Sequence, residues 1–314
     1  MITLEMRNMF FLLRRIIILL STLASITLSF SQELTPRRWS HLPVDKNFAG
    51  LAYVYTDAEI FIDPVLQVED LQADIQTLAF RYIHSFEFMG KTTRFDIGQS
   101  VQDGTWNGLL QGEPATATRR GLSDTKLRIS SILYGAPPLK GEAFKKYRQS
   151  VYESETLIGA AVILQLPTGD YSSDNLINLG SNRFTIRPQL GVVHQRRNWT
   201  YELSTSAWLY TDNNQFWEGT KREQDPFYTL QGHLIYTFKP GIWISASTGY
   251  GIGGQNKING QHKADAGRNF AFSAAAGYAL TSRLGLSLTY IGTRTQTDKS
   301  FDSDNYGLGL SWFW

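Results

Sequence analysis

Basic side chains recur at the polar positions of segments in which polar and apolar residues alternate. They are Arg81, Arg94, Lys126, Arg128 and Arg187, with the carboxylate Asp96 among them. Later segments place further polar groups at equivalent positions, namely Glu202, Gln231 and His233. Cations on one face can attract anionic solutes, because together they create a local positive potential. Alternatively, these charges pair with one another and fill an interior.

The histidines do not predict a catalytic site. His84 precedes Ser85, but adjacent residues of a strand face opposite sides and cannot form a catalytic pair. His233 is a lone histidine at a polar position in mid-segment. The sequence has no Gly-x-Ser-x-Gly, no His-Glu-x-x-His and no phosphate-binding loop. We therefore expect no enzymatic activity, no cofactor and no metal site.

The charge balance argues against a polyanionic partner. The chain has 314 residues and a formal net charge of +2, with 30 basic and 28 acidic residues. Three arginines and one glutamate among the first 31 residues account for this charge, so the remainder is neutral. We therefore expect no nucleic-acid partner. The absence of cysteine excludes disulfides and thiolate metal sites.

An apolar stretch near the start, Ile16–Leu28, is typical of a secretory signal peptide. It is shorter than the roughly 20 residues of a membrane-spanning helix. Two arginines precede it, and the small residues Ser29 and Ser31 follow it. We predict a signal peptide over residues 1–31, cleaved to leave a short N-terminal periplasmic segment over 32–47. An uncleaved N-terminal anchor is the alternative.

The rest of the chain alternates with period two, which is the pattern of β-strands. The last segment shows it clearly, with Tyr306, Leu308 and Leu310 on one face and glycines between them. Twelve segments of 11 to 14 residues follow this pattern, long enough to cross a bilayer as tilted strands. They are 48–58, 75–88, 92–102, 122–134, 156–167, 182–195, 199–211, 226–239, 241–253, 269–281, 283–295 and 304–314.

The connections between these segments alternate in length. Short turns follow segments 2, 6, 8 and 10, whereas longer polar connections follow the odd-numbered segments, as in outer-membrane barrels. The connection 135–155 breaks this pattern, and its residues 141–150 predict a short helix. The predicted fold is all-β: a transmembrane antiparallel β-barrel over 48–314, with about 12 strands and one short periplasmic helix.

Aromatic residues near the ends of the apolar faces predict a membrane girdle. Tyr306, Trp312 and Trp314 lie on the apolar face of the last segment. Such rings keep a polar edge in water while their apolar body is buried at the membrane interface. An aromatic residue that ends such a strand is also the expected assembly signal of outer-membrane barrels. A soluble all-β extracellular domain is the alternative.

Several motifs together resemble a known family. They include Phe48-Ala49-Gly50-Leu51-Ala52-Tyr53, Asp63-Pro64-Val65-Leu66, Gly121-Leu122-Ser123-Asp124, Leu166-Pro167-Thr168-Gly169-Asp170-Tyr171, Asn178-Leu179-Gly180-Ser181-Asn182-Arg183 and Asp225-Pro226-Phe227. In this order the chain resembles the family described as "putative MetA-pathway of phenol degradation". The resemblance covers about residues 45–314 and implies a transporter-like barrel of the outer membrane.

The barrel and the resemblance lead to a functional hypothesis. We expect a porin-like channel for passive passage of small solutes, aromatic or anionic, with the polar residues named first lining its lumen. Trp106, Trp208, Trp217 and Trp243 are candidates for an aromatic slide, or else plug the lumen or pin an inward-folded loop. The alternative function is a structural or surface-interaction barrel with a plugged lumen. Expected partners are outer-membrane lipid, lipopolysaccharide, the barrel assembly machinery, periplasmic chaperones and a small-molecule solute.

Overall fold

The twelve predicted strands form a barrel wall. The structure is a computed structural model, and it describes residues 33–61, 68–110, 112–298 and 300–314. The wall strands are β1 (Lys46–Phe61), β2 (Val68–Phe88), β3 (Lys91–Leu110), β4 (Glu113–Leu122) with β5 (Lys126–Tyr134), β6 (Glu155–Gln165), β7 (Thr185–Arg196), β8 (Trp199–Tyr210), β11 (Phe227–Lys239), β12 (Ile242–Gly253), β15 (Gly267–Ala279), β16 (Leu284–Thr295) and β17 (Ser300–Phe313). All neighbours are antiparallel, and β17 pairs with β1 to close the barrel.

Strand β3 has two partners along its length, and so β4 and β5 count as one wall strand. The lower part of β3, Thr93–Gly98, pairs with β5, and its upper part, from Val101, pairs with β4. The region 103–121, predicted as a long connection, is therefore an extension of the sheet. The alternation there is weak because small and polar residues occupy both faces of β4.

The connections sort by length as predicted, and one rim carries short turns. The turn between β2 and β3 has Met89 and Gly90 at positive φ, as a two-residue hairpin requires. At the other rim, connections carry four short strands that pair in a separate sheet. These are β9 (Asn213–Phe216), β10 (Thr220–Gln224), β13 (Asn256–Ile258) and β14 (Gln261–His262). Short turns mark the periplasmic rim of such barrels, so the small sheet lies at the extracellular rim.

Apolar side chains face outward from the wall, and polar side chains face inward. Leu230, Leu288 and Leu308 are exposed large apolar residues in mid-strand, whereas alternate positions are buried and mostly polar. Tyr306, Trp312 and Trp314 are exposed on the same outer face, and the Trp312 and Trp314 rings stack with centroids 4.6 Å apart. Apolar residues outside and polar residues inside are the reverse of the arrangement in a soluble protein. The reversed arrangement is typical of a barrel surrounded by lipid.

Helix α1 (Gly141–Ser150) has the bounds that the sequence predicts. Glu142 in its first turn and Arg148 in its last turn favour the helix dipole. It lies in the connection between β5 and β6 at the periplasmic rim. Within the described residues, no helix is both long and apolar enough to cross a membrane. The predicted signal peptide, 1–31, lies outside the described residues.

The segment before β1 differs from the prediction of a short periplasmic segment over 32–47. Strand β1 begins earlier, at Lys46, and residues 33–45, here called the N-terminal segment, run into the barrel. Trp39 in this segment is 2% exposed and packs with Ile132, Leu157 and Val193 on the inner wall. Burial of the Trp39 indole in this apolar cluster removes the ring from water, and this stabilises the segment inside the lumen.

Candidate functional site

The lower lumen, the half nearer the periplasmic rim, is centred on one carboxylate with three arginines. Arg81 Nη2 lies 2.5 Å from Asp96 Oδ2, Arg128 Nη1 lies 3.4 Å from the same oxygen, and Arg94 Nε lies 3.7 Å from Oδ1. Asp96 is only 4% exposed at its side chain. The predicted polar positions on β2, β3 and β5 therefore converge into an ion-pair network, as buried charges require.

The N-terminal segment completes this network with its own charges. Glu33 Oε1 lies 2.7 Å from Arg38 Nη2, and Glu33 Oε2 lies 3.7 Å from Arg187 Nη1 on β7. Burial alone raises the pKa of Glu33, but the charges of Arg38, Lys126 and Arg187 lower it below its ordinary value. Glu33 therefore stays ionised and neutralises part of the lumen's positive charge.

Backbone contacts also hold the N-terminal segment against the wall. The backbone N–H of Arg37 donates to Glu202 Oε2 on β8 at 2.9 Å. The guanidinium of Arg94 donates to the carbonyl oxygen of Arg38. Glu202 on β8 and Arg94 on β3 thus both bind the backbone of the segment. Both residues were predicted to face the lumen.

Trp39 is seated in a slot that two glycines make. A Cβ at Gly159 would lie 2.6 Å from the indole, and a Cβ at Gly191 would lie 2.3 Å from it. The guanidinium of Arg128 lies over the indole, 4.9 Å from the ring centroid. Glycine at these two positions lets the ring approach the strand backbone, which a larger residue would prevent.

The periplasmic end of the segment is held by helix α1. The ring of His41 contacts Phe144 and Tyr147, with centroids 4.9 and 5.5 Å away. Its Nε2 donates to the carbonyl oxygen of Pro137 at 3.0 Å. Burial lowers the pKa of His41 to about 4, and the charge of Arg148 adds to this, although the bond to Pro137 opposes it. His41 is therefore neutral at pH 7.

The remaining predicted residues also face inward, but they do not join the network. Gln231 and His233 on β11 are buried, and the Nε2 of Gln231 and the Nδ1 of His233 have no hydrogen-bond partner in the part of the chain described. Lys126 on β5 has no carboxylate oxygen within 4.0 Å of its Nζ among the described residues. Whether any of these residues contacts a solute stays a prediction.

Above the N-terminal segment, the lumen contains a cavity of about 400 Å³, here called the upper cavity. Glu33 and Arg38 line its lower end, and residues 178–181 of the connection between β6 and β7 line its upper end. Of the four predicted aromatic slide residues, Trp106 and Trp208 line this cavity, whereas Trp217 packs with Phe216 and Ile258 and Trp243 is not part of the lining. A space of this size suits a small organic molecule.

Asp124 fixes the loops that cover the upper cavity. Its carboxylate accepts the backbone N–H groups of Gly169 and Ser181, at 2.9 and 3.0 Å, and the side-chain amide of Gln165 at 3.0 Å. The backbones of Gly169 and Gly180 pack against each other so closely that neither could carry a Cβ. The motifs around these residues, which carried the family resemblance, therefore meet in one place.

Arg183 at the upper cavity is a buried arginine without an ion pair. Its guanidinium lies over the ring of Tyr210 at 4.3 Å and donates through Nη2 to Gln224. Its Nε and Nη1 have no hydrogen-bond partner, and no carboxylate oxygen lies within 4.0 Å, within the described ranges. In the sequence Arg183 stands out only as the last residue of a family motif, because its burial depends on loops that fold over the rim.

The matches with known proteins agree with this barrel. Residues 63–310 match the model of the family "Putative MetA-pathway of phenol degradation". The chain belongs to this family. The family resemblance predicted from the sequence is thus confirmed. The chain matches no curated protein sequence.

One solved structure, of an outer membrane channel, shows the same fold, and two others match less closely. The COG4313 outer membrane channel from Pseudomonas putida F1 is 21% identical and superposes with a TM-score of 0.73, over 90% of this chain and 100% of that one. The transport unit of the autotransporter AIDA-I from Escherichia coli is 8% identical, with a TM-score of 0.48 over 93% and 95% of the chains. The CymD monoaromatic hydrocarbon channel is 6% identical, with a TM-score of 0.42 over 86% and 89%. The predicted twelve-stranded barrel is confirmed.

Proposed function

We propose that this protein is a non-enzymatic outer-membrane channel that passes small solutes, aromatic or anionic, without an energy source. The observation that carries the proposal is the upper cavity, a solute-sized space inside a closed barrel whose outer face is apolar. Family membership supports the same role. A cleaved signal peptide over 1–31 would bring the chain to the periplasm, and mass measurement of the mature N-terminus tests that step.

Passage through the lumen requires the N-terminal segment to move. Glu33 and Arg38 form the lower end of the upper cavity, and Trp39 fills the lumen below them. Wall side chains bind the backbone of the segment, and only its last residues, Val44 and Asp45, make backbone hydrogen bonds to the barrel. Residues 33–43 form no strand pairing, so this part can leave without breaking the barrel. We infer that solute flux depends on how often the segment leaves this position.

Bilayer conductance tests this proposal. A variant with residues 33–42 replaced by glycine and serine keeps the chain length but loses Trp39 and Glu33. We expect its single-channel conductance in potassium chloride to rise several-fold over the natural chain. The matched control is Lys145→Ala, an exposed residue of α1 at the same rim. A correctly folded barrel, shown by its heat-modifiable migration, that stays non-conducting without the segment would reject the channel.

A structural barrel with a plugged lumen is the second candidate. The paired charges around Asp96 and the seating of Trp39 favour it, because both fill space that a wide pore would leave open. Its partners would be lipopolysaccharide and outer-membrane lipid. This function predicts that deletion of the gene weakens the envelope against detergents, while uptake of small solutes is unchanged.

A further inference from the structure

The upper cavity has more positive than negative side chains on its lining. Five cationic and three anionic residues line it. Arg38, Arg81, Arg128, Glu33 and Asp96 belong to the network of the lower lumen, and Lys126, Arg183 and Asp124 complete the lining. The carboxylate of Asp124 is already occupied by loop backbone groups and by Gln165. Asp96 is occupied by three arginines. Arg183 and Lys126 therefore have no carboxylate oxygen within 4.0 Å among the described residues, although Lys126 and Glu33 attract each other at longer range.

Arg183 is the strongest of these uncompensated cations. The residue is 3% exposed, yet two guanidinium nitrogens, Nε and Nη1, have no partner among the described residues. A buried cation without a counter-ion is costly, and its unsatisfied donors add to that cost. Such an arrangement is expected where an external anion supplies the missing charge. The Nε–H and Nη1–H groups lie on different edges of the guanidinium, so a carboxylate accepts a charge-assisted hydrogen bond from one of them.

The strand register places a second unpaired cation near Arg183. Lys126 on β5 lies opposite Gln165 on β6, and Gln165 lies opposite Thr185 on β7. Neighbouring strands are about 4.8 Å apart, so Lys126 and Thr185 are in one layer about 10 Å apart. Arg183 lies two residues closer to the extracellular rim than Thr185. The long side chains of Lys126 and Arg183 can therefore reach the same anion. All four of these residues line the upper cavity.

The rest of the cavity lining offers an apolar surface. Ile75, Trp106, Leu179 and Phe301 line the cavity and belong to one cluster of packed apolar residues on β1–β3, β17 and the covering loop. Apolar and aromatic side chains on one part, with unpaired cations on another, match a ligand that has two chemically different ends. A free inorganic anion would leave the apolar part unused.

We propose that the upper cavity binds an amphiphilic carboxylate, its carboxylate held by Arg183 and Lys126 and its apolar or aromatic body placed against Trp106 and Phe301. The proposal rests on the proposed channel function in one respect, because it names the class of solute that the channel would carry. Binding itself does not require passage, and the two can be tested apart.

Equilibrium binding to the full mature chain tests this proposal. Isothermal titration calorimetry at pH 7.5 in detergent solution compares 4-ethylbenzoate with 4-ethylbenzamide, its neutral analogue, each corrected for binding to empty micelles. We expect the carboxylate to bind at least about tenfold more tightly, the size of one charge-assisted contact. Arg183→Gln is expected to lose this preference, while its affinity for the amide stays within about twofold.

Arg120→Gln is the matched control, since it removes one positive charge from the extracellular side at a side chain that is 81% exposed. It should keep the full preference for the carboxylate. If Arg183→Gln fails to fold, Lys126→Gln carries the same comparison, with a partial loss expected. Equal binding of carboxylate and amide by the natural chain, or an unchanged preference in the folded Arg183→Gln variant, would overturn the proposal.

The outcome is separable from that of the channel proposal. Selective binding together with a barrel that stays non-conducting after replacement of residues 33–42 would retain the carboxylate site and reject the channel. Conductance together with equal binding of the two probes would retain the channel and reject the carboxylate site.

Discussion

The two halves of the lumen use the same residue types in opposite ways. In the lower lumen, arginines surround Asp96, and the N-terminal segment adds Glu33, so positive charges meet carboxylates. In the upper cavity, Arg183 lies over an aromatic ring and has no carboxylate within 4.0 Å among the described residues. The lower half is organised for stability, whereas the upper half leaves polar groups unsatisfied, as binding sites do.

A single substitution is expected to release the N-terminal segment from the lower lumen. Trp39→Ala removes a fully buried indole, which in protein cores costs about 3–5 kcal/mol. We expect the segment to leave the lumen and conductance to rise. Hydrogen exchange of residues 33–44 should become fast, while exchange of the barrel strands stays slow. Slow exchange of the segment in this variant would show that its charges alone hold it.

The ion-pair network predicts a difference in stability between the two halves. Asp96→Asn leaves three arginines without their shared carboxylate, and we expect the free energy of unfolding to fall by about 3 kcal/mol. Arg183→Gln removes a cation that has no ion pair, so we expect no loss of stability without ligand. Urea unfolding in detergent measures both. Equal losses in the two variants would contradict the contrast between the halves.

Added side-chain volume in the slot for Trp39 is expected to have a smaller effect than the two substitutions above. Gly191→Ala places a Cβ against the indole, and we expect roughly 2 kcal/mol of overpacking at the segment. The matched control is Gly232→Ala on β11, because a Cβ there meets no atom within 4 Å. Conductance should rise for the first variant and stay unchanged for the second. No difference between the two would place Trp39 outside the slot in solution.

The contact of His41 with helix α1 predicts a modest dependence on pH. The pKa of His41 is lowered to about 4 when the residue is buried, whereas the free residue titrates near 6.5. The undocked segment thus binds a proton first as pH falls, and docking weakens between pH 6.5 and pH 4. From pH 7 to pH 5 the loss is at most about 2 kcal/mol.

Conductance measured between pH 7 and pH 5 checks this dependence. It should rise as pH falls in the natural chain, and His41→Phe should remove the part of the rise that comes from this residue. Arg148 pairs with Glu155 near α1, and Tyr147 contacts the His41 ring. These three residues are the same in the natural chain and in His41→Phe, so the two proteins differ only at His41. An identical pH profile in His41→Phe would assign the effect to another group.

Much of the wall could be predicted from the sequence, because alternation is a local property. Segments such as 199–211 and 241–253 agree with strands Trp199–Tyr210 and Ile242–Gly253 to within two residues. The helix over 141–150 was also correct. The sequence failed at 103–121, where both faces are polar, and at the small extracellular sheet, whose strands of two to five residues are too short to show a period.

The candidate site was only partly predictable. The inward direction of Arg94, Asp96 and Arg128 follows from strand parity, since every second side chain faces the lumen. Their convergence on one carboxylate needs the register of β3 against β5, in which Asp96 lies opposite Arg128. The role of Asp124 needs loops from three parts of the chain to meet.

The sequence by itself determined the twelve strands of the wall, apart from the extension over 103–121, and which face of each strand is apolar. Both properties depend on neighbours two residues away, and the lipid around the barrel selects the apolar face. Only the tertiary structure decided what fills the lumen, because the deciding contacts join distant parts of the chain. Arg37 and Glu202 are 165 residues apart when they bond, and Arg183 is buried by a loop that folds over the barrel mouth. Periodicity carries no information about such contacts, and they divide the lumen into a filled half and an open cavity.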